Sequence, residues 1–147
     1  GSIQIFQYLN INKVPLTGSL WLYTIHSKNA ELIHFLEENK VKPEQNKKPK
    51  KEPFEDVLIE SIKCHHNDIA EYIKENLFEK ITDLNKNIRS YIFRYHNYSY
   101  FPNEINGNNF FYLCQFDYLE IVRILQNEKK IDKKDIISTK SISTSIF

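Results

Sequence analysis

A helical hairpin that recurs along the chain constrains this sequence more than any other feature. In Ser19 to Val41, SLWLYTIHSKNAELIHFLEENKV, the first half puts Trp21, Thr24 and Ile25 on one face of a short helix, Leu20 to Ser27. The second half, Ala30 to Glu38, carries Leu32, Ile33, Phe35 and Leu36 at the i, i+3, i+4 spacing that buries one stripe of a helix. Two helices this short cannot bury both stripes against each other alone, so the unit needs neighbours of its own kind.

Those neighbours are present as imperfect copies. At an offset of 37 residues, Leu32, Ile33, Leu36 and Asn39 fall on Ile69, Ala70, Ile73 and Asn76, within VLIESIKCHHNDIAEYIKEN from Val57. At an offset of 89 they fall on Ile121, Val122, Leu125 and Glu128, within FFYLCQFDYLEIVRILQNE from Phe110. A weaker copy, offset by 68, places IRSYIFRYHN, Ile88 to Asn97, on the first helix, after which Pro102 cuts the second short. Arg89 then stands where Trp21 and Leu58 supply core. The opening IFQYLNINKV ends as FLEENKV does, with Leu9 on Leu36 and Val14 on Val41, so the chain is expected to start inside a unit and to be a piece of a longer protein. The units are read as 3–14 (partial), 19–41, 56–77, 87–102 (degenerate) and 108–131, in one domain over 1–147.

Local signals agree with this register. Ser19, Asp56, Asn87 and Asn108 open the first helices, and all four are residue types suited to an N-cap. The turns between helices read Lys28-Asn29, His65-His66, His96-Asn97 and Asp117-Tyr118. Where such a turn needs positive φ without glycine, Asn, Asp and His tolerate it best, which leaves Lys28 as the exception.

FFYLCQFDYLEIVRILQ, Phe110 to Gln126, resembles an ankyrin repeat, with Glu120, Ile121 and Val122 where that family has Glu-Ile-Val and Asp117 where it usually has Gly. The wording from Ser19 to Val41, followed by IESIKCHHNDIAEYI, is similar to the divergent, Asn- and Tyr-rich ankyrin-related domains of protists. The resemblance departs from the family in having no Thr-Pro-Leu-His opening and no turn glycine. It implies an all-α solenoid of stacked helical hairpins with its third unit degenerate, a scaffold or protein-interaction role, and no catalysis.

Composition supports an all-helical class. With 3 Gly and 5 Pro in 147 residues, a barrel or sandwich would lack turn residues. Cys64 and Cys114 fall on helices of different units and read as free thiols of an intracellular, cytoplasmic setting. No apolar run approaches the roughly 20 residues that span a membrane. Lys40 to Pro53 holds six Lys against Glu44 and Glu52, and Lys129 to Phe147 five Lys against Asp132 and Asp135. With the whole chain at +1, the helical body is acidic and attracts a basic or mixed partner. Lys47, Lys48, Lys50 and Lys51 make a KKPKK run that reads either as a solvated insertion or as a nuclear localisation or nucleic-acid signal.

Chemistry-bearing motifs are sparse. Cys64, His65 and His66 are of zinc-ligand types, but adjacent helical residues diverge by about 100° and the spacing of a closed site is missing, so turn chemistry explains both histidines and no metal or cofactor is expected. No phosphate loop, GxSxG or HExxH is present, which points away from catalysis. The expected binding residues lie in three ladders on the first helices: Tyr23, Glu60, Tyr91, Tyr112; His26, Lys63, Arg94, Gln115; and Ser27, Cys64, Tyr95, Phe116. Tyr, Phe and Arg are hot-spot types, so Tyr23, His26, Lys63, Tyr91, Arg94, Tyr95, Tyr112, Gln115 and Phe116 are expected to line a concave partner-binding surface. The aromatic members alternatively pack under the loop from Asn97 to Gly107. Ile92, Phe93, Leu113 and Cys114 are expected on the buried side. The competing functions are a structural spacer and a nucleic-acid-associated adaptor using the Lys47 to Lys51 loop.

Overall fold

Among the described residues, six without a glycine's freedom adopt positive φ, and they mark the architecture. Lys28, His65, His96 and Asp117 do so at 50°, 57°, 54° and 59°, each at the turn position where the repeat register puts it. Lys13 and Lys40 do so at 57° and 53°, at the other end of the hairpin. At Lys13, Lys40, His65 and His96 a matching pair of helix-ending bonds closes the turn. Around Lys40, its own N–H reaches Glu37 O at 2.8 Å and the Val41 N–H reaches Leu36 O at 2.9 Å. Around Lys13 the corresponding bonds run to Asn10 O and from Val14 N to Leu9 O. This is the Schellman closure, in which a left-handed residue lets two orphan carbonyls be satisfied as the helix stops.

The computed structural model describes residues 3–44, 52–78, 86–103 and 105–127. Among these there are eight α-helices and no strand: α1 (Ile3–Ile11), α2 (Leu20–Ser27), α3 (Ala30–Glu38), α4 (Glu55–Lys63), α5 (Asn67–Asn76), α6 (Lys86–Arg94), α7 (Gly107–Gln115) and α8 (Leu119–Asn127). The fold class is all-α. Lys47, Lys48, Lys50, Lys51 and Glu128 lie outside the described residues. The chain divides into two compact units, Gly1–Tyr91 and Ile92–Phe147, with the division inside α6.

In the first unit, α2 packs on α3, α4 on α5, and α2 on α4, so two hairpins lie side by side. Trp21, Thr24, Ile25, Leu32, Ile33, Phe35 and Leu36 are buried, as are Ile69, Ala70 and Ile73 of the copy. Each large aliphatic or Phe side chain among them, taken fully from water, contributes about 1.5–3 kcal/mol. Helix α1 ends as α3 does. Asn12, Asn39 and Asn76, at equivalent register, each donate a side-chain N–H to the carbonyl four residues back, at 2.8, 2.8 and 2.9 Å. Between the hairpins, His66 Nδ1 meets Ile25 O at 2.9 Å, so its Nδ1–H is the donor. The chain leaving α3 is seated on α2 where Gly18 has room for no side chain. An added Cβ there would lie 2.5 Å from Glu44 N and from Lys42 O. Next to this approach, Trp21 Nε1 donates to Val41 O at 2.8 Å and the Trp21 ring takes Phe54 edge-on.

In the second unit α7 packs on α8, and a core forms from Phe93, Tyr112, Leu113 and Tyr118. Among the described residues, the degenerate copy shows no second α-helix. A single 3₁₀ turn, Tyr98–Tyr100, follows α6, and Phe101 before Pro102 is extended, as the ring of Pro102 requires. Phe101 then packs beside Phe93, with centroids 4.7 Å apart. Arg89 is half-buried at the position where Trp21, Leu58 and Phe110 are sealed from solvent.

The helix starts differ from the sequence reading. Ser19 holds the N-cap position of α2 in an αR conformation with no side-chain cap bond, and its hydroxyl pairs with Thr17 instead. Asp56 lies inside α4, which Phe54 precedes. Asn87 is inside α6 and donates to Glu55 Oε1 at 2.7 Å. Asn108 is inside α7, whose cap is Asn106, accepting from Asn109 N at 3.1 Å. Asn29 caps α3 in the same way, accepting from Glu31 N at 2.9 Å.

Candidate functional site

The two first helices of unit Gly1–Tyr91 carry a polar face built by the repeat register. Counting back from the left-handed residue, Tyr23 and Glu60 share one position, His26 and Lys63 a second, Ser27 and Cys64 a third. Because α2 lies beside α4, His26 stands opposite the gap between Glu60 and Cys64. Its Nε2 is 3.1 Å from Glu60 Oε1 and its Nδ1 is 3.7 Å from Cys64 Sγ. Lys63 Nζ holds the other carboxylate oxygen, Glu60 Oε2, at 2.6 Å. Tyr23, one helical turn before His26, is 68% exposed.

The charges and burial of this face are mixed. His26 is more than half exposed, whereas Glu60 and Lys63 are largely covered. Desolvation, reinforced by the Glu60 carboxylate and opposed by Lys63, pushes the Cys64 thiol above its ordinary range. The neighbouring histidines play other parts. His65 supplies the left-handed turn and His66 the bond to Ile25, so the consecutive Cys-His-His run diverges rather than converging on one point.

On the second helices of the same unit, Tyr72 donates to Glu37 Oε2 at 2.9 Å, and His34 Nδ1 lies 3.1 Å from the same oxygen. The Tyr72 hydroxyl is pushed above its usual pKa by desolvation and by its bond to Glu37. His34 and Tyr72 border a small cavity of about 210 Å³ with Ala30, Ile33, Asp68 and Ile69.

Tyr91, also in this unit, is half-buried on α6. The other expected binding residues belong to unit Ile92–Phe147, and there the register departs from expectation. Arg94 and Gln115 are exposed, and Tyr95 is half-buried with the Arg94 guanidinium 5.9 Å above its ring. Tyr112, expected on the open face, is 5% exposed and stacks on Phe93 at 5.4 Å. Phe116 is half-buried and stacks on Tyr112 at 6.3 Å. Ile92, Phe93 and Leu113 are buried as expected, whereas Cys114 is exposed. One cause explains both differences. The inward face of α7 keeps Phe110 and Leu113, the counterparts of Trp21 and Thr24, but takes in Asn109 and Tyr112 in place of Cys114, the counterpart of Ile25, and so leans toward the Phe93, Phe101 and Tyr118 rings. Aromatic area is thereby removed from water, and the position of Cys114 turns out.

Sequence reasoning missed the His26, Glu60, Cys64 grouping. The three ladders already held the signal, because residues on different ladders become diagonal neighbours once first helices pack side by side. A scan against known protein families, a search of curated proteins and a search of solved structures each found no match. Among the described residues, no helix is long and apolar enough to cross a membrane.

Proposed function

We propose that the chain is an ankyrin-like α-solenoid module that binds a protein or peptide along the first helices of its hairpins, in an intracellular scaffold role. The observation that carries this reading is the face of α2 and α4, where an exposed Tyr23 stands beside His26, Glu60 and Lys63 on two packed helices. An aromatic ring with charged neighbours on a rigid support loses little conformational freedom on docking, which is the condition for a binding hot spot. The acidic helical body favours a basic or mixed segment as partner.

A photo-crosslinking residue at Tyr23, compared with one at the exposed Glu31 of α3, tests the reading in extract from the source cell. A discrete crosslinked protein is expected from Tyr23 alone, and its yield should fall when His26 and Lys63 are replaced by Ala. Equal labelling from both positions, or none from Tyr23, refutes it. The burial of Tyr112 and the stacking of Phe116 on it favour a second reading, a structural spacer whose aromatics serve its own core. That reading gains from a silent Tyr23.

A further inference from the structure

We propose that His26, Glu60 and Cys64 form a binding site for a borderline divalent transition metal of the zinc class, joining α2 to α4. The three side chains each offer one donor atom, and these atoms all lie within 4.8 Å of one another. They bring an imidazole nitrogen, a carboxylate oxygen and a thiolate sulfur, a mixed set that suits zinc or cobalt better than magnesium or calcium. Donors on a tetrahedral zinc ion, at bond lengths of about 2.0–2.3 Å, stand about 3.3–3.7 Å apart. The His26 Nδ1 to Cys64 Sγ distance of 3.7 Å already falls there. Closing the rest of the triangle asks for about 1 Å of movement by side chains that are in part open to solvent.

The surroundings suit the ion. Lys63 holds Glu60 Oε2 while Glu60 Oε1 lies 3.1 Å from His26 Nε2, so with Nδ1 as the ligand nitrogen Oε1 leaves Nε2 to join the ion. Three protein ligands leave a fourth position for water, as in open zinc sites. Binding replaces the thiol proton with the metal, and that proton goes to solvent. Because the donors come from two hairpins, an ion held there fastens one to the other.

Cobalt(II) and zinc(II), added to the full chain with its thiols kept reduced, provide the test. One equivalent of cobalt should bind with a thiolate-to-cobalt charge-transfer band in the near ultraviolet, and zinc should displace it. Cys64→Ser should abolish that band and Cys114→Ser should leave it intact. His26→Gln and Glu60→Gln should each weaken zinc about 10-fold or more, whereas His34→Gln should not. Zinc should raise the melting temperature of the native chain and of Cys114→Ser, and leave that of Cys64→Ser unchanged. Far-ultraviolet circular dichroism establishes that each variant is folded, and His26→Gln, an exposed position, gives a readout if Cys64→Ser is not. A native chain without the charge-transfer band overturns the proposal. So does a band lost in Cys114→Ser, or a folded His26→Gln that binds zinc as tightly as the native chain.

Discussion

Tyr118→Phe removes one oxygen and tests the tie that holds unit Ile92–Phe147 together. The Tyr118 hydroxyl donates to Phe93 O at 2.6 Å, with the ring 7% exposed. Phenylalanine keeps the ring contacts with Phe93, Phe101 and His96, so almost the whole effect belongs to the hydrogen bond. A buried carbonyl left with no donor costs about 1–3 kcal/mol. Phe93 O still receives the His96 N–H at 3.2 Å, so it is not orphaned and the lower part of that range applies, about 1–1.5 kcal/mol. Urea denaturation should show a lower midpoint at unchanged slope. The pH dependence supplies a second reading. Burial, with Tyr98 adding to it, pushes the Tyr118 pKa from 10.0 to about 12. A group raised on folding contributes its full stability below its unfolded pKa, so the native chain should lose stability as pH climbs from about 10 toward 12, and Tyr118→Phe should lack that component. A loss under about 0.5 kcal/mol together with an unchanged alkaline limb would refute the assignment. A loss of about 3–5 kcal/mol, the size expected of Tyr118→Ala, would show that ring packing rather than the hydroxyl had been disturbed.

Gly18→Ala should cost about 1–3 kcal/mol, because its Cβ would meet backbone at 2.5 Å rather than a side chain that can swing away; a chemical melt within error of native would mean that the passage from Lys42 to Glu44 moves freely. Lys28→Gly and His65→Gly should each stabilise by about 0.5–1 kcal/mol, since relief of left-handed strain outweighs glycine's added chain entropy, and a rise in melting temperature checks this. Asn29→Ala should cost about 1 kcal/mol while Ser19→Ala stays within about 0.5 kcal/mol, because only the first accepts a cap bond; equal losses in denaturant melts would contradict the cap geometry.

The legible parts of the fold are those with periodic physics. Helices Leu20–Ser27 and Ala30–Glu38 follow from a stripe of large apolar residues at helical spacing, and the inter-helix turns follow from register. Lys28 shows how strong that register is. Its side chain has no device favouring positive φ, yet it adopts 50° because the hairpin must close at that position. Capping was less legible, since Ser19 is the right residue type in the right place and still bonds Thr17. A hydroxyl has several local partners, and composition does not rank them. The face of α7 was illegible for a different reason. Which residues border it depends on rings contributed by Phe93, Phe101 and Tyr118, and only tertiary packing brings these to Tyr112.

The turns connect the repeat's economy to its chemistry. Six described non-glycine residues sit at positive φ, and at about 1 kcal/mol each the strain is comparable with the whole net stability of a small domain, about 5–15 kcal/mol. Closure bonds at every turn, the Asn12, Asn39 and Asn76 amides, and the His66 and Tyr118 links offset that strain. Where short hairpins pack side by side, the bonds between them matter more than the propensity of any one helix. His26 and Cys64 lie on that boundary. Repetition fixes which positions meet, and the differences between copies decide what is placed there: one copy supplies an imidazole, and the next supplies a carboxylate and a thiol. A ligand gripping all three acts on the contact between α2 and α4. It would therefore stabilise that contact by an amount that grows with the logarithm of ligand concentration above Kd, whereas a ligand confined to one hairpin would leave that boundary as it was.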